Sequence, residues 1–266
     1  MKLNSADILE AMTRAEKEAG GIMLRARGIV GENKTSARDP VTQYDREVQR
    51  MLTERLTAAV PDAAFCCEES RENGNLEAEH VFVIDPIDGT MNFLRHMNRS
   101  AVSIAYLHRG ETVCGAVYNP YLDEMYTALR GGGAFLNGNR IHTEDRPISE
   151  TVICCGTAPY YSELAEKTFR MMEAAFRAGL DIRREGSAAL DLCSVAAGRA
   201  GGFFELRLSL WDWAAAALLV REAGGCIGTA QGMELPLDGS KSSVFAGGKQ
   251  VYEELLALAA GTGADA

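Results

Sequence analysis

The chain has 266 residues, enough for a large buried core in one big domain or two intimately packed ones. Hydrophobic residues make up 47% and charged residues 24%, an ordinary balance for a soluble globular protein. A net charge of −10 argues against nucleic acid or an anionic membrane as partner, since both usually need a basic patch.

Ile8, Leu9, Met12, Ala15, Ala19, Ile22 and Met23 recur at helical spacing after a cap at Asn4 or Ser5. This predicts a helix over about 5–28, weakened locally by Gly20-Gly21. A second helix is expected over about 43–59, with Val48, Met51, Leu52 and Leu56 on its apolar face and Pro61 just beyond. The middle reads as strands at about 81–84, 101–107, 112–118 and 124–129, and Asn137-Gly138 is a hairpin-turn signal before Arg140-Ile141. Beyond about 150 the pattern alternates: strand 152–155, helix 161–178, strand 180–184, helix 187–198, strand 202–206 and helix 212–223. Strands near 226–229 and 243–246 and a last helix over about 249–260 complete it, so helices layered on more than one sheet are expected.

The cysteines (66, 67, 114, 154, 155, 193, 226) are odd in number and contain no C-x-x-C, which reads as reduced, mostly buried thiols. The N-terminus lacks an apolar signal core and no run approaches a transmembrane length, so a cytoplasmic location is expected. The histidines (80, 96, 108, 142) form no metal-ligand spacing and are assigned to surface or packing roles.

Four acidic clusters carry the chemical content: Glu68-Glu69, Asp85-x-x-Asp88, Asp212 between Trp211 and Trp213, and Asp39-x-x-Thr42-x-x-Asp45. Each has an ordinary explanation: a solvated turn for Glu68-Glu69, an N-cap for Asp212, a capping box for Thr42 and Asp45. Asp85-Pro-Ile-Asp88 is harder to explain so. Two carboxylates directly after a buried strand repel each other unless a cation neutralises them, and proline holds both in place. Gly89 lets backbone approach a ligand, and Thr90 supplies a hydroxyl where a helix could start. Hard divalent cations take oxygen ligands, and a helix start offers free N–H groups to an anion, so metal and phosphate would meet at one strand end.

Asp85-Pro-Ile-Asp-Gly-Thr-Met-Asn-Phe93 resembles the signature of the inositol monophosphatase family. Trp211-Asp-Trp-Ala-Ala-Ala-Ala-Leu-Leu-Val-Arg-Glu-Ala-Gly-Gly225 is similar to its second signature. Lys34 with Asp39-Pro-Val-Thr-Gln-Tyr-Asp45, Glu68-Glu69-Ser70, Gly132 to Gly138 and Gly186-Ser-Ala-Ala-Leu-Asp191 match in the same order. The resemblance implies a mixed α/β (α+β) fold, a layered αβαβα sandwich of the sugar-phosphatase type, usually a homodimer. It implies a single catalytic domain over 1–266, with a metal half at about 1–145 and a second half at about 146–266 that supplies Asp212.

The same resemblance implies two to three Mg²⁺ ions per subunit. Glu68, Asp85 and the Ile87 carbonyl would hold the first; Asp85, Asp88 and Asp212 the second; a third would share Glu68 through water. Gly89 and Thr90 would cradle the phosphate, Thr90 and Glu68 would orient the attacking water, and Asp45 would support Thr90. Gly186, Ser187, Ala188 and Glu205 would line the polyol side, with Asp88 and Asp212 also facing the substrate. The implied activity is Mg²⁺-dependent hydrolysis of inositol monophosphate or a similar polyol or sugar phosphate, with lithium sensitivity. The alternatives are fructose 1,6-bisphosphate, histidinol phosphate, 3′-phosphoadenosine 5′-phosphate or NADP as substrate, or a regulatory binding protein on this fold. The short connection from Glu69 to Asp85 favours the inositol type. Met91 and the 156–161 loop depart from the family pattern, the latter on the substrate side, and Lys34 and Arg184 are left without a fixed role.

Overall fold

The computed structural model describes residues 4–34, 38–70 and 74–264. Helix α1 (Ser5–Arg25) starts at Asn4, whose side chain accepts from the Ala6 N–H at 3.2 Å. The glycine pair lies inside this helix: a Cβ on Gly20 would stand 2.4 Å from the Tyr118 ring, so the small residue lets the helix approach the sheet. The short strands β1 (Gly31–Asn33) and β2 (Pro40–Thr42) pair antiparallel and lead into α2 (Gln43–Ala59).

Next come β3 (Ala64–Cys67), β4 (His80–Asp88), the five-residue α3 (Thr90–Leu94), β5 (Ala101–His108), β6 (Glu111–Asn119), β7 (Glu124–Leu129), β8 (Gly133–Leu136) and β9 (Asn139–Ile141). Strands β3 to β9 form one seven-stranded sheet in chain order, with β3 parallel to β4 and every other pair antiparallel. Asn137 and Gly138, at φ 49° and 79°, make the tight turn between β8 and β9 that their sequence signals.

The second half runs β10 (Val152–Cys155), a 3₁₀ turn (Ser162–Leu164), α4 (Ala165–Ala178), β11 (Asp181–Arg183), α5 (Ala188–Ala196), β12 (Gly202–Leu208), α6 (Leu210–Glu222), β13 (Cys226–Gly228), β14 (Ser242–Gly247) and α7 (Lys249–Thr262). Its five strands are ordered β11-β10-β12-β14-β13.

Three apolar cores bind five layers. On the outer face of the large sheet α1 and α2 pack Met12, Leu52 and Leu56 against Phe82, Ile84 and Ile104. Between the sheets lie α5 and α6, joining Leu192 and Leu219 to Val117 and Phe203. Helix α6 is buried from Trp213 through Val220, as a helix covered on every side must be. On the far side of the small sheet α4 and α7 place Met171, Val251 and Leu255 against Phe204 and Phe245. The architecture is a mixed α/β sandwich with the layer order αβαβα.

All seven cysteines are free and six are buried, and burial pushes the Cys66 thiol up to about 11. Among the described residues, no helix is long and apolar enough to cross a membrane.

Candidate active site

In a regular strand, residues three apart point to opposite faces, which would separate Asp85 from Asp88. A register shift between these two residues breaks the β4–β5 ladder. Pro86, which has no N–H to give to a ladder, sits in that bulge. The sequence placed the pair after the strand; they lie within it, since β4 continues to Asp88. The Ile87 N–H donates to Asp85 Oδ1 at 3.0 Å, which fixes the first carboxylate. The second is fixed from the other half of the chain. Ser187 Oγ and the Ala189 N–H donate to Asp88 Oδ2 at 2.5 Å and 2.8 Å, at the start of α5.

Glu68, just past β3, and Asp212, in the first turn of α6, line the same cleft as Asp85 and Asp88. Asp212 is not the N-cap of its helix: Ser209 is, and its N–H donates to Asp212 Oδ2 at 2.7 Å. Burial raises Asp85 well above the usual carboxylate range, and Glu68, Asp88 and Asp212 add repulsion. Asp212 is raised likewise by burial, Glu68 and Asp88. Asp88 reaches only about 6, because the Ser187 and Ala189 donors offset part of the effect of burial. Lys34 brings one positive charge to this end, pairing with Glu68 at 2.8 Å and also with Glu69. Burial alone would lower its ammonium, but the two carboxylates hold it above the usual lysine range.

An all-oxygen donor set, buried and mutually repelling, fits hard divalent cations. The carboxylates do not close into a single cage, since no three of them bring ligand oxygens within 4.8 Å of one another. A His-containing group that meets this distance lies elsewhere, at the far end of β4.

Gly89, at φ 88°, turns the chain from β4 into α3. A Cβ there would stand 2.9 Å from the Arg99 carbonyl and 3.0 Å from that of Gly186, so both halves press on this position. With only five residues, α3 has little macrodipole, and any anion here would be held by local N–H groups. Thr90 Oγ1 lies 3.1 Å from Asp45 Oδ1 and 3.1 Å from the Ile87 carbonyl. Asp45 also accepts from the Thr42 N–H at 2.8 Å and from the Thr42 hydroxyl. The capping box of α2 thus lends its carboxylate to Thr90, and the ordinary and functional readings of Asp45 are one arrangement. Burial pushes Asp45 up to about 6 against the pull of the Thr42 donors.

Glu205, midway along β12 where its ladder with β14 begins to shift register, is buried and not a solvent-facing strand end. Burial pushes it up to about 7, and the Ala158 N–H donates to Oε1 at 2.7 Å. The 156–161 loop is seated on this carboxylate. A Cβ on Gly156 would fall 1.8 Å from Glu205 Oε2. Gly156→Ala is therefore expected to displace Glu205, raise KM and destabilise the fold by roughly 1–3 kcal/mol. Urea unfolding and steady-state kinetics check this, and unchanged values in both would show that Glu205 does not anchor the loop.

The cleft has a volume of about 550 Å³ and gathers Glu68, Asp85, Ile87, Asp88, Gly89, Thr90, Gly186, Ser187, Ala188, Glu205 and Asp212. Asp45 stands behind Thr90 and off the lining. Sequence reasoning missed Asp191, a buried carboxylate on α5 raised by burial, Asp88 and Glu205, with Oδ1 unpartnered. Its trace was its place as the last residue of the matched 186–191 block and as a single acid in an otherwise apolar helix. It also missed Arg38, Arg207 and Lys241 on the rim, where Tyr160 and Tyr161 bring the 156–161 loop that the sequence set on the substrate side. Arg184 lies in the lining too, with its guanidinium 3.2 Å from Thr157 Oγ1.

A five-layer sandwich with a carboxylate-lined cleft between its halves defines the sugar-phosphatase class of fold. The profile of the inositol monophosphatase family matches residues 4–262. The inositol-1-monophosphatase of Rhizobium meliloti (strain 1021) is 40% identical over 258 residues, covering 93% of this chain and 94% of that protein. The Nus factor SuhB of Escherichia coli (strain K12) is 35% identical over 255 residues, covering 94% of each. The crystal structure of extragenic suppressor protein suhB from Bartonella henselae has a TM-score of 0.88 at 34% identity, covering 95% of this chain and 98% of that one. The chain belongs to the inositol monophosphatase family, a family of metal-dependent phosphatases.

Proposed function

We propose that this phosphatase is a Mg²⁺-dependent phosphomonoesterase acting on inositol monophosphate or a similar polyol or sugar phosphate. The observation that carries the reading is the meeting of Glu68, Asp85 and Asp88 from one half with Asp212 from the other, in a cleft that also contains Thr90. Both halves are needed, so the chain acts as a single catalytic domain. Glu68, Asp85, the Ile87 carbonyl, Asp88 and Asp212 would hold the cations. When bound, Mg²⁺ neutralises the carboxylates and the phosphate and makes water a usable nucleophile near neutral pH.

The chain's own groups orient the reaction. Asp45 accepts the Thr90 hydroxyl proton in a hydrogen bond, which leaves the Thr90 oxygen lone pairs free to accept from a water beside Glu68. Asp45 is ionised above about pH 6, so this polarisation is present at neutral pH. The Gly89 and Thr90 N–H groups receive the phosphate, and Glu205 with Gly186–Ala188 faces the polyol. The reading includes a homodimer, for which Phe169, Phe176 and Leu180, each more than half exposed, offer an apolar surface on and just beyond α4.

One observation favours a second substrate type on the same chemistry. Arg38, Arg184, Arg207 and Lys241 ring the mouth of the cleft, with Arg207 and Lys241 over the Tyr161 ring at 4.6 Å and 5.1 Å. Such a rim suits an ester with a second anionic group, as in fructose 1,6-bisphosphate. Phosphate release from inositol 1-phosphate, fructose 1,6-bisphosphate, histidinol phosphate, 3′-phosphoadenosine 5′-phosphate and NADP, with Mg²⁺ and with EDTA, tests both. Metal-dependent turnover preferring inositol 1-phosphate, inhibited by Li⁺, is the expected result. No release from folded protein would overturn the proposal and favour a regulatory role of the kind that the SuhB-named relatives' Nus-factor description denotes.

A further inference from the structure

The end of β4 remote from Asp85 carries a second group of ligating side chains. His80 opens β4 and His108 closes β5, and the two are direct cross-strand partners. Their rings lie 5.1 Å apart between centroids and are tilted by 31°. Glu79 precedes His80, and ligand atoms of Glu79, His80 and His108 all fall within 4.8 Å of one another. The sequence concealed this group: 28 residues separate the histidines, and only the β4–β5 register brings them together.

We propose that Glu79, His80 and His108 form a binding site for a borderline divalent transition metal of the Zn²⁺ type, separate from the carboxylate cleft. The two Nδ1 atoms are 3.4 Å apart. Two nitrogens bound at about 2.0–2.1 Å to one tetrahedral ion stand about 3.3–3.4 Å apart, so little movement is needed. An ion bound at His80 Nδ1 would take the place of the Tyr106 hydroxyl that now bonds that nitrogen. His80 Nδ1 meets both His108 Nδ1 and, at 2.6 Å, the Tyr106 hydroxyl, while one ring nitrogen makes one good hydrogen bond. Arg109 competes for the third ligand, pairing with Glu79 Oε1 at 2.7 Å, but the second carboxylate oxygen remains for an ion. This pair is more than half exposed on both sides, so it is weak and solvent can reach the site. Water would complete the fourth position.

Two imidazoles and one carboxylate select zinc, nickel or copper, whereas the all-oxygen cleft selects magnesium. The two sites would therefore fill independently. Five residues of strand, about 16 Å, separate His80 from Asp85. An ion here would staple β4 to β5 without entering the cleft.

The test is calorimetric titration with Zn²⁺, and Co²⁺ absorption in the visible region, on the full chain in excess Mg²⁺. Wild type is expected to bind one ion that His108→Ala weakens at least roughly tenfold and Glu79→Gln weakens measurably. In both variants, Mg²⁺-dependent phosphate release without zinc should be unchanged, which also shows that they fold. Zinc binding of equal affinity and stoichiometry in wild type and His108→Ala, or none in wild type, would overturn the proposal. If His108→Ala fails to fold, the exposed Glu79→Gln variant decides, and wild-type affinity there would count against the site.

Discussion

Replacing Asp85 with asparagine is expected to lower kcat/KM for phosphate release by roughly 10³-fold or more. The same change should raise the thermal stability of the metal-free protein. Asp85 is 2% exposed, and its burial is aggravated by Glu68, Asp88 and Asp212, so an ionised carboxylate there is unfavourable without a cation. Asparagine has nearly the same volume and keeps an oxygen for the Ile87 N–H, now 3.0 Å away, so the bulge need not rearrange. A purely structural carboxylate would give the opposite stability sign, because its loss would remove a favourable interaction. The decisive measurement is a pair: turnover with Mg²⁺, and melting temperature in EDTA. A folded variant with wild-type turnover, or one that melts lower than wild type in EDTA, would reject a metal-ligand role for Asp85.

Much of the fold was legible from helical apolar periodicity and from short apolar runs. The periodic segment at 43–59 is α2 to the residue, and the strand readings at 124–129 and 152–155 coincide with β7 and β10. Strands β1 and β2 escaped because three-residue segments carry no period and depend on each other for pairing. The glycine pair in α1 read as a weakness because its reason, the Tyr118 ring, lies about a hundred residues away.

The site was legible to a different degree. Asp85 and Asp88 stood out as chemistry, but simple alternation puts them on opposite faces, and only the bulge around Pro86 reconciles the two. That Ser187 and Ala189 would grip Asp88 was not readable, since the partners come from another helix of the other half. Glu205 as a buried anchor depends on Gly156 and Ala158 reaching it from a separate strand end. The His80–His108 pair was missed for a related reason: metal spacing was sought along the chain, whereas a β-sheet creates spacing across it.

The metal-free protein is expected to melt at progressively lower temperature as pH rises from about 4 to 7, and Mg²⁺ should offset the part of this that comes from its ligands. The carboxyls of Asp45 and Asp88 sit at about 6 instead of 3.8, and those of Glu69 and Glu205 at about 7 instead of 4.5. Burial is the main cause in all four. In that window the folded chain still holds protons that the unfolded chain has released, so stability falls as pH rises and the loss is complete for these groups above about 7. Below about 4 both states are protonated and the effect vanishes. A displacement of roughly two pH units is worth up to about 3 kcal/mol for one group. The groups interact, so the four do not simply add, and a total fall of roughly 10 °C is the expected scale for a chain of this size. Divalent cations bind the ionised carboxylates and reverse the cost of ionising those that act as ligands. Stabilisation by Mg²⁺ should therefore be small at pH 5 and reach several degrees at pH 8. Scanning calorimetry across pH in EDTA and in saturating Mg²⁺ measures both curves. A melting temperature in EDTA that stays level or rises between pH 4 and 7 would show that these four carboxylates are not held protonated by burial. An Mg²⁺ effect of equal size at pH 5 and pH 8 would show that the cation binds elsewhere.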